Sequence, residues 1–290
     1  MKAIKTGFGV SWIRAAGMLY PKEKRLYDDP FSEKILTGMY KFLINLMHIP
    51  KIFDIIMKSI ERNSPGAMGS QFCRYRYIDD QLKNNIAKKE IETVVNLGVG
   101  MDARAYFIPG VESIHYFELD HPSVIKKKIK IIKEVLGKLP DNVVYVPIDF
   151  EKQSLDNELK NAGYNLSSKT LFIWEGVTQY LSEEAVDSTL KYVSSAPGSK
   201  IVFTYILKSF IDGENIHNGI KAIYDKYVRK SKIFIYGLAP SDIDDFLSKY
   251  SLSIIEDIGS DEYKERYVKP AGLNLEVNEI ERMVLAEVKR

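Results

Sequence analysis

One stretch, from Glu90 to Pro122 (EIETVVNLGVGMDARAYFIPGVESIHYFELDHP), constrains this chain more than any other. Thr93, Val94, Val95 and Leu97 lead straight into Gly98, Val99 and Gly100, and a second apolar run from Ile114 to Phe117 ends at Glu118 and Asp120. β-Branched runs this short read as buried parallel strands, and the glycines let the backbone turn tightly and approach a ligand closely. An acid about 20 residues past the glycines, at the carboxyl end of the neighbouring strand, is placed to accept hydrogen bonds from ribose hydroxyls. The stretch predicts a nucleoside-binding βαβ unit. Glu118 and Asp120 stand two apart, on the same side of a strand, and are expected to act together.

Asn96, Asp102 and Arg104 crowd further polar groups onto the glycine turn. Two more strands end in acids: Asp149 follows VVYVPI and Glu175 follows LFIW. A nucleoside lying across several strand ends at the switch point of an open sheet needs such a set. With Ala103 as a third small residue, positions 98 to 103 also satisfy the looser dinucleotide fingerprint. A nicotinamide-dependent oxidoreductase is therefore a second reading, in which Asp149 and Glu175 have no task. A cofactor-binding protein without catalysis is a third.

NLGVGMDARAY, YFELDHP, the Asp149–Phe150 pair and WEGVTQYL at 174 to 181, in this order and spacing, resemble the leucine carboxyl methyltransferase family. GVSWIRA at 9 to 15, DDPF at 28 to 31 and RYRYIDD at 74 to 80 resemble its N-terminal elements, so the likeness covers nearly the whole chain. The resemblance implies a Rossmann-like class I methyltransferase: a seven-stranded, mostly parallel sheet with an antiparallel last strand, a helical N-terminal lid and an insertion after the fifth strand. It implies S-adenosyl-L-methionine as cofactor and a carboxylate as methyl acceptor, on a small molecule or on a protein C-terminus. Cofactor binding then falls to Arg74, Gly98, Gly100, Asp102, Glu118, Asp120, Asp149, Phe150, Glu175 and Gly176. By the same resemblance Arg74 holds the methionine carboxylate, and Asp149 and Phe150 face the adenine. The competing readings are an Arg74 ion pair with Asp79 or Asp80 and a helix N-cap at Asp149. Tyr205, near the end of the strand KIVFTYIL, is the candidate catalytic side chain, as an acceptor-side base.

The rest of the chain fits one domain of 290 residues. Residues 1–89 form the lid, 90–207 the cofactor-binding core, 208–250 the substrate-side insertion and 251–290 the closing strands. RNSPGAMGS at 62 to 70 reads as a loop, 71 to 89 as a helix, and Ser241 and Ser182 as N-caps. The lysines between Pro122 and Gly137 read as the solvated face of an amphipathic helix.

A balance of 41 basic against 39 acidic residues, net +2, gives no electrostatic footprint for nucleic acid. Cys73 is the single cysteine, which excludes an intrachain disulfide and a cysteine-based zinc site. No metal is called for. The most apolar segment, Phe42 to Lys58, is broken by His48, Pro50, Lys51 and Asp54, so it predicts two amphipathic helices meeting near Pro50, not a membrane span. No targeting segment stands out at the start, and a cytoplasmic location is expected.

Overall fold

The computed structural model describes residues 2–289, with side chains from Gly7 onward. Its strands are β1 (Thr93–Leu97), β2 (His115–Asp120), β3 (Val143–Pro147), β4 (Thr170–Trp174), β5 (Lys200–Ile206), β6 (Leu252–Ile258) and β7 (Glu281–Val288). They form one sheet in the order β3-β2-β1-β4-β5-β7-β6. β1 pairs in parallel with both β2 and β4, so the direction of winding reverses beside it, and the crevice of the switch point opens at the carboxyl ends of β1 and β4. β7 runs opposite to the other six strands and lies between β5 and β6.

All five residues of β1 and of β4 are buried, which is why both segments read as continuous apolar runs without alternation. Val94, Leu171, Ile173 and Val202 face one core with the N-terminal helices α1 (Lys2–Gly17), α2 (Gly38–Met47), α3 (Pro50–Asn63) and α4 (Ala67–Ala87), and with α5 (Pro122–Leu136). Val95, Leu97, Phe172, Trp174 and Phe203 face the other, beneath α6 (Leu155–Asn161) and α7 (Glu183–Ser194). Ser182 caps α7 through the backbone N–H of Ala185, as its position before Glu183 and Glu184 predicts. The two helices expected on either side of Pro50 are α2 and α3.

The insertion leaves β5 through α8 (Lys208–Ile211) and α9 (Asn218–Tyr224) and returns to the same place. Lys208 N–H donates to Leu238 O at 2.9 Å, and Leu238 N–H donates to Ile206 O at 3.0 Å. Its interior is aromatic, with Tyr227 stacked on Phe234 at 4.9 Å and Tyr180 edge-on to Phe234 at 5.4 Å. α10 (Ile243–Ser248) follows, and α11 (Ser260–Tyr263) bridges β6 to β7.

Two local expectations are corrected. Ser241 does not cap α10, because a tight turn over Pro240–Asp242 precedes that helix and the Ser241 hydroxyl donates to the Asp242 carboxylate. The loop expected over 62 to 70 shrinks to Ser64–Gly66, since α4 already begins at Ala67. Gly69 lies inside α4 because another backbone passes there: a Cβ on it would come to 2.1 Å of the Glu276 carbonyl oxygen. Gly69 is thus a docking surface for the segment before β7, not a hinge. Gly69→Ala is expected to lower the unfolding free energy by about 1–3 kcal/mol, the usual range for overpacking, as read by urea denaturation. An unchanged midpoint would mean that the Glu276 segment yields freely.

Candidate active site

Gly98 and Gly100 close the turn after β1 with φ of +78° and +53°, the left-handed region that glycine adopts without a Cβ penalty. A Cβ on Gly98 would meet Val177 at 2.5 Å, so the glycine turn packs directly on the turn after β4. Gly100 N–H donates to Asp120 Oδ2 at 2.7 Å, and His121 N–H donates to Oδ1 at 2.6 Å. These two bonds fix the carboxylate at the end of β2 and leave each oxygen a lone pair. Burial pushes the Asp120 carboxyl above its ordinary value, against the pull of the two N–H donors.

Glu118 shares the face of Asp120 but not its task. It is fully buried, its Oε1 paired with Lys128 Nζ at 2.8 Å and its Oε2 accepting from the Tyr106 hydroxyl at 2.9 Å. The expectation that both acids act together on a ligand gives way here, because Glu118 is turned to Lys128 and Tyr106 below the strand end. Lys128 is the exception in a lysine run read as solvated. Its Nζ also donates to the Asp102 carbonyl at 2.6 Å and so ties α5 to the glycine turn.

Above the turn, a chain of buried ion pairs crosses the crevice. Arg14 on α1 pairs with Asp29 at 2.5 Å and Asp79 at 2.8 Å. Asp79 also holds Arg104 at 2.6 Å, and Arg104 reaches Asp102 at 2.7 Å and Glu175 at 2.6 Å. Glu175 accepts from Arg74 Nε at 2.8 Å, and Arg74 Nη1 bonds both oxygens of Glu281 at 2.9 Å. The Tyr75 ring lies within cation–π distance of all three guanidinium carbons, at 4.9 Å from Arg14, 5.6 Å from Arg74 and 5.9 Å from Arg104. Burial pushes the Asp102 carboxyl up, but Arg104 and more distant cations outweigh it and bring it down to about 2. Arg74 pairs with neither Asp79 nor Asp80; Asp80 is taken by Arg76 one turn earlier.

The structure brings Arg74, Gly98, Gly100, Asp102, Asp120, Glu175 and Gly176 together at one edge. Gly176, at φ +66°, donates its N–H to Thr204 at 2.8 Å, and a Cβ there would lie 3.4 Å from Arg74 Nη1 and Nη2. Asp149 lies further out beyond β3, paired with Lys152, while Ser154 caps α6. Phe150 packs on the second core. Tyr205 is not part of this set. Its side chain lies within the second core with Phe203 and Trp174, and its hydroxyl donates to Asp257 at 3.1 Å beside Arg282. Lys128, Arg104 and Glu281 are the members that sequence reasoning left without a role.

The donors suit an adenosyl amino acid. A guanidinium with an open Nη2 beside carboxylates complements a zwitterion, and Asp120 at the glycine turn complements a ribose diol. The Gln179 amide donates to Gly176 O while its Oε1, in a residue only 4% exposed, has no partner among the described residues. No group of acidic, histidine or cysteine side chains able to hold a metal occurs among the described residues. No helix among them is long and apolar enough to cross a membrane.

The sheet order, its single reversed strand and polar groups gathered at the switch point define a Rossmann-like fold of the class I methyltransferase type. Residues 7–194 match the sequence model described as Leucine carboxyl methyltransferase, and the chain belongs to that family. Two relatives bear the description "Putative S-adenosyl-L-methionine-dependent methyltransferase". The one from Mycobacterium marinum is 26% identical over 208 residues, covering 70% of this chain and 68% of its own. The one from Mycobacterium ulcerans is 28% identical over 184 residues, covering 62% of this chain and 60% of its own. Among solved structures, a DUF574 family protein from Streptomyces avermitilis shares the fold, with a TM-score of 0.58 at 11% identity over 82% of this chain and 91% of that one.

The Glu118–Lys128 pair makes a stability prediction. Lys128→Met leaves a buried carboxylate without its cation and is expected to cost about 3–5 kcal/mol, whereas Glu118→Gln combined with Lys128→Met recovers a large part of that loss. Urea unfolding of both variants checks it; a double variant no more stable than the single one would show that the pair is not coupled.

Proposed function

We propose that this chain is an S-adenosyl-L-methionine-dependent O-methyltransferase that forms a methyl ester on a carboxylate of a small molecule. The observation that carries the cofactor assignment is the Arg74–Glu175 pair next to the glycine turn and Asp120, a set that matches both ends of the cofactor. Family membership and the description of the mycobacterial relatives agree with it. Arg74, Glu175 and Gly176 would hold the methionine end, Gly98, Gly100 and Asp120 the ribose, and Asp149 with Phe150 the adenine.

The cofactor supplies an electrophilic methyl group on a sulfonium. The protein's part is to bind, to orient and to exclude water, and orientation alone can contribute roughly 7–11 kcal/mol to such a displacement. α1 lies over the glycine turn, with Gly7 Cα 3.5 Å from where a Gly100 Cβ would be and the Ser11 hydroxyl donating to Met101 O at 3.2 Å. That placement supports the reading of the N-terminal helices as a lid. The acceptor side is assigned to the insertion, whose Ile235 N–H donates to Gln179 O at 2.8 Å and whose aromatic cluster includes Tyr180.

A carboxylate acceptor is favoured because a carboxylic acid, with an ordinary pKa near ~4, is ionised at neutral pH and attacks without a base, whereas a phenol near ~10 needs one. The histidines are engaged away from the ionic chain: His48 with Glu33, His121 with Ser123 and His217 with Glu279, while His115 opens β2 at the opposite edge. Tyr205 is buried and bonded to Asp257, and burial together with that acid pushes its hydroxyl further from ionisation.

The test uses cofactor labelled in its methyl group with a panel of acids, phenols and peptides, followed by mild alkali. The expected product is a small-molecule ester that releases its label as volatile methanol. Label retained after alkali overturns the ester and leaves methyl transfer standing, and label on peptides alone moves the acceptor to a protein C-terminus. Asp120→Ala is expected to leave a folded protein whose affinity for S-adenosylhomocysteine falls by about 1.5–3 kcal/mol, as read by isothermal titration. An unchanged dissociation constant would remove Asp120 from the site.

A further inference from the structure

We propose that Glu281 is the carboxylate that receives the α-ammonium of the cofactor's methionine end and so sets specificity for that end; the inference rests on the cofactor assignment above. β7 is the strand that runs backwards, so its first residue lies at the carboxyl edge of the parallel strands, with Glu281 in register with Ile206 at the end of β5. From there its side chain, 11% exposed, reaches an arginine 207 residues away in sequence.

The donors and acceptors around Arg74 separate the two acids. Glu175 is spoken for at both oxygens, Oε1 by Arg74 Nε at 2.8 Å and Oε2 by Arg104 Nη1 at 2.6 Å. Glu281 shares a single nitrogen, Arg74 Nη1, between both its oxygens at 2.9 Å, and no second cation pairs with it among the described residues. It therefore keeps unused lone pairs in a desolvated place. Arg74 Nη2 donates to no described residue, and a Cβ on residue 176 would lie 3.4 Å from it, so the glycine there leaves the edge at Nη2 uncovered. A carboxylate taken on that edge comes up beside Glu281, and in an α-amino acid the ammonium is carried on the carbon next to the carboxylate. The ionic chain also lacks positive charge: Arg14, Arg74 and Arg104 face Asp29, Asp79, Asp102, Glu175 and Glu281, three cations against five anions. A zwitterionic amino-acid end leaves that balance as it is, whereas a ligand with the carboxylate and no ammonium adds a sixth anion to it.

The experiment is isothermal titration of the whole chain with S-adenosylhomocysteine, with its analogue lacking the α-amino group, and with 5′-methylthioadenosine, which lacks the amino-acid end altogether. The unsubstituted protein is expected to prefer S-adenosylhomocysteine over the desamino analogue by about tenfold or more, the usual scale of a charge-assisted hydrogen bond. In Glu281→Gln that ratio is expected to fall to about one, with 5′-methylthioadenosine binding unchanged. Glu281→Asp keeps the charge but withdraws it by one methylene; it should lower the ratio without abolishing it and gives the same readout if the glutamine variant does not fold. A ratio that survives both substitutions overturns the role of Glu281, as does tighter binding of S-adenosylhomocysteine to Glu281→Gln. If neither S-adenosylhomocysteine nor 5′-methylthioadenosine binds the unsubstituted protein, the cofactor assignment itself falls and this inference falls with it.

Discussion

The structure depends on burying three guanidinium groups against one aromatic ring. Arg14, Arg74 and Arg104 are each 5% exposed or less, and Tyr75 lies among them. An unpaired charge in such a place is too costly to keep, so every arginine must find its acid, and the acids come from five separate parts of the chain. Helix α1 is latched through Arg14, the glycine turn through Asp102 and Arg104, the end of β4 through Glu175 and the start of β7 through Glu281. Pairing that satisfies the core therefore also sets the geometry of the ligand edge.

Much of this was legible in the residues, for physical reasons. β1 and β4 have no exposed face, so their sequences are plain apolar runs, and the acids beyond them stand out by contrast. Helices were equally clear where one face is dry, as in α5, whose end is marked by Gly137 at φ +78°. What stayed hidden was partner choice. Nothing in a run of five lysines marks Lys128 as the buried one, and nothing in RYRYIDD says that Arg74 turns away from the aspartates that follow it. Such choices are made by elements that meet only in three dimensions, like Gly69 with the Glu276 backbone.

Tyr205 and Glu118 show two ways in which a polar residue near a strand end is drawn away from the cluster at the glycine turn. A strand alternates its side chains between faces, so Tyr205, one position beyond Thr204, falls on the side of Phe203 and Trp174 and finds Asp257 there. Glu118 lies on the productive face, but two residues too deep. Of the two, Asp120 meets the glycine turn, and Glu118 is tied through Lys128 to the carbonyl of Asp102.

The reversed strand has a consequence for how the molecule is made. From β1 to β5 each strand can pair with an earlier one through a single crossover, so that half of the sheet can grow by comparatively local steps. β6 cannot join in the same way, because its only partner is β7 and β7 must first fit against β5. Contacts across such long stretches of chain form late, after the entropy of closing the loop has been met. Arg74 meets Glu281 only at that step, so a sheet stalled with its parallel strands in place would already have the glycine turn and Asp120 while its arginine still faced a single glutamate.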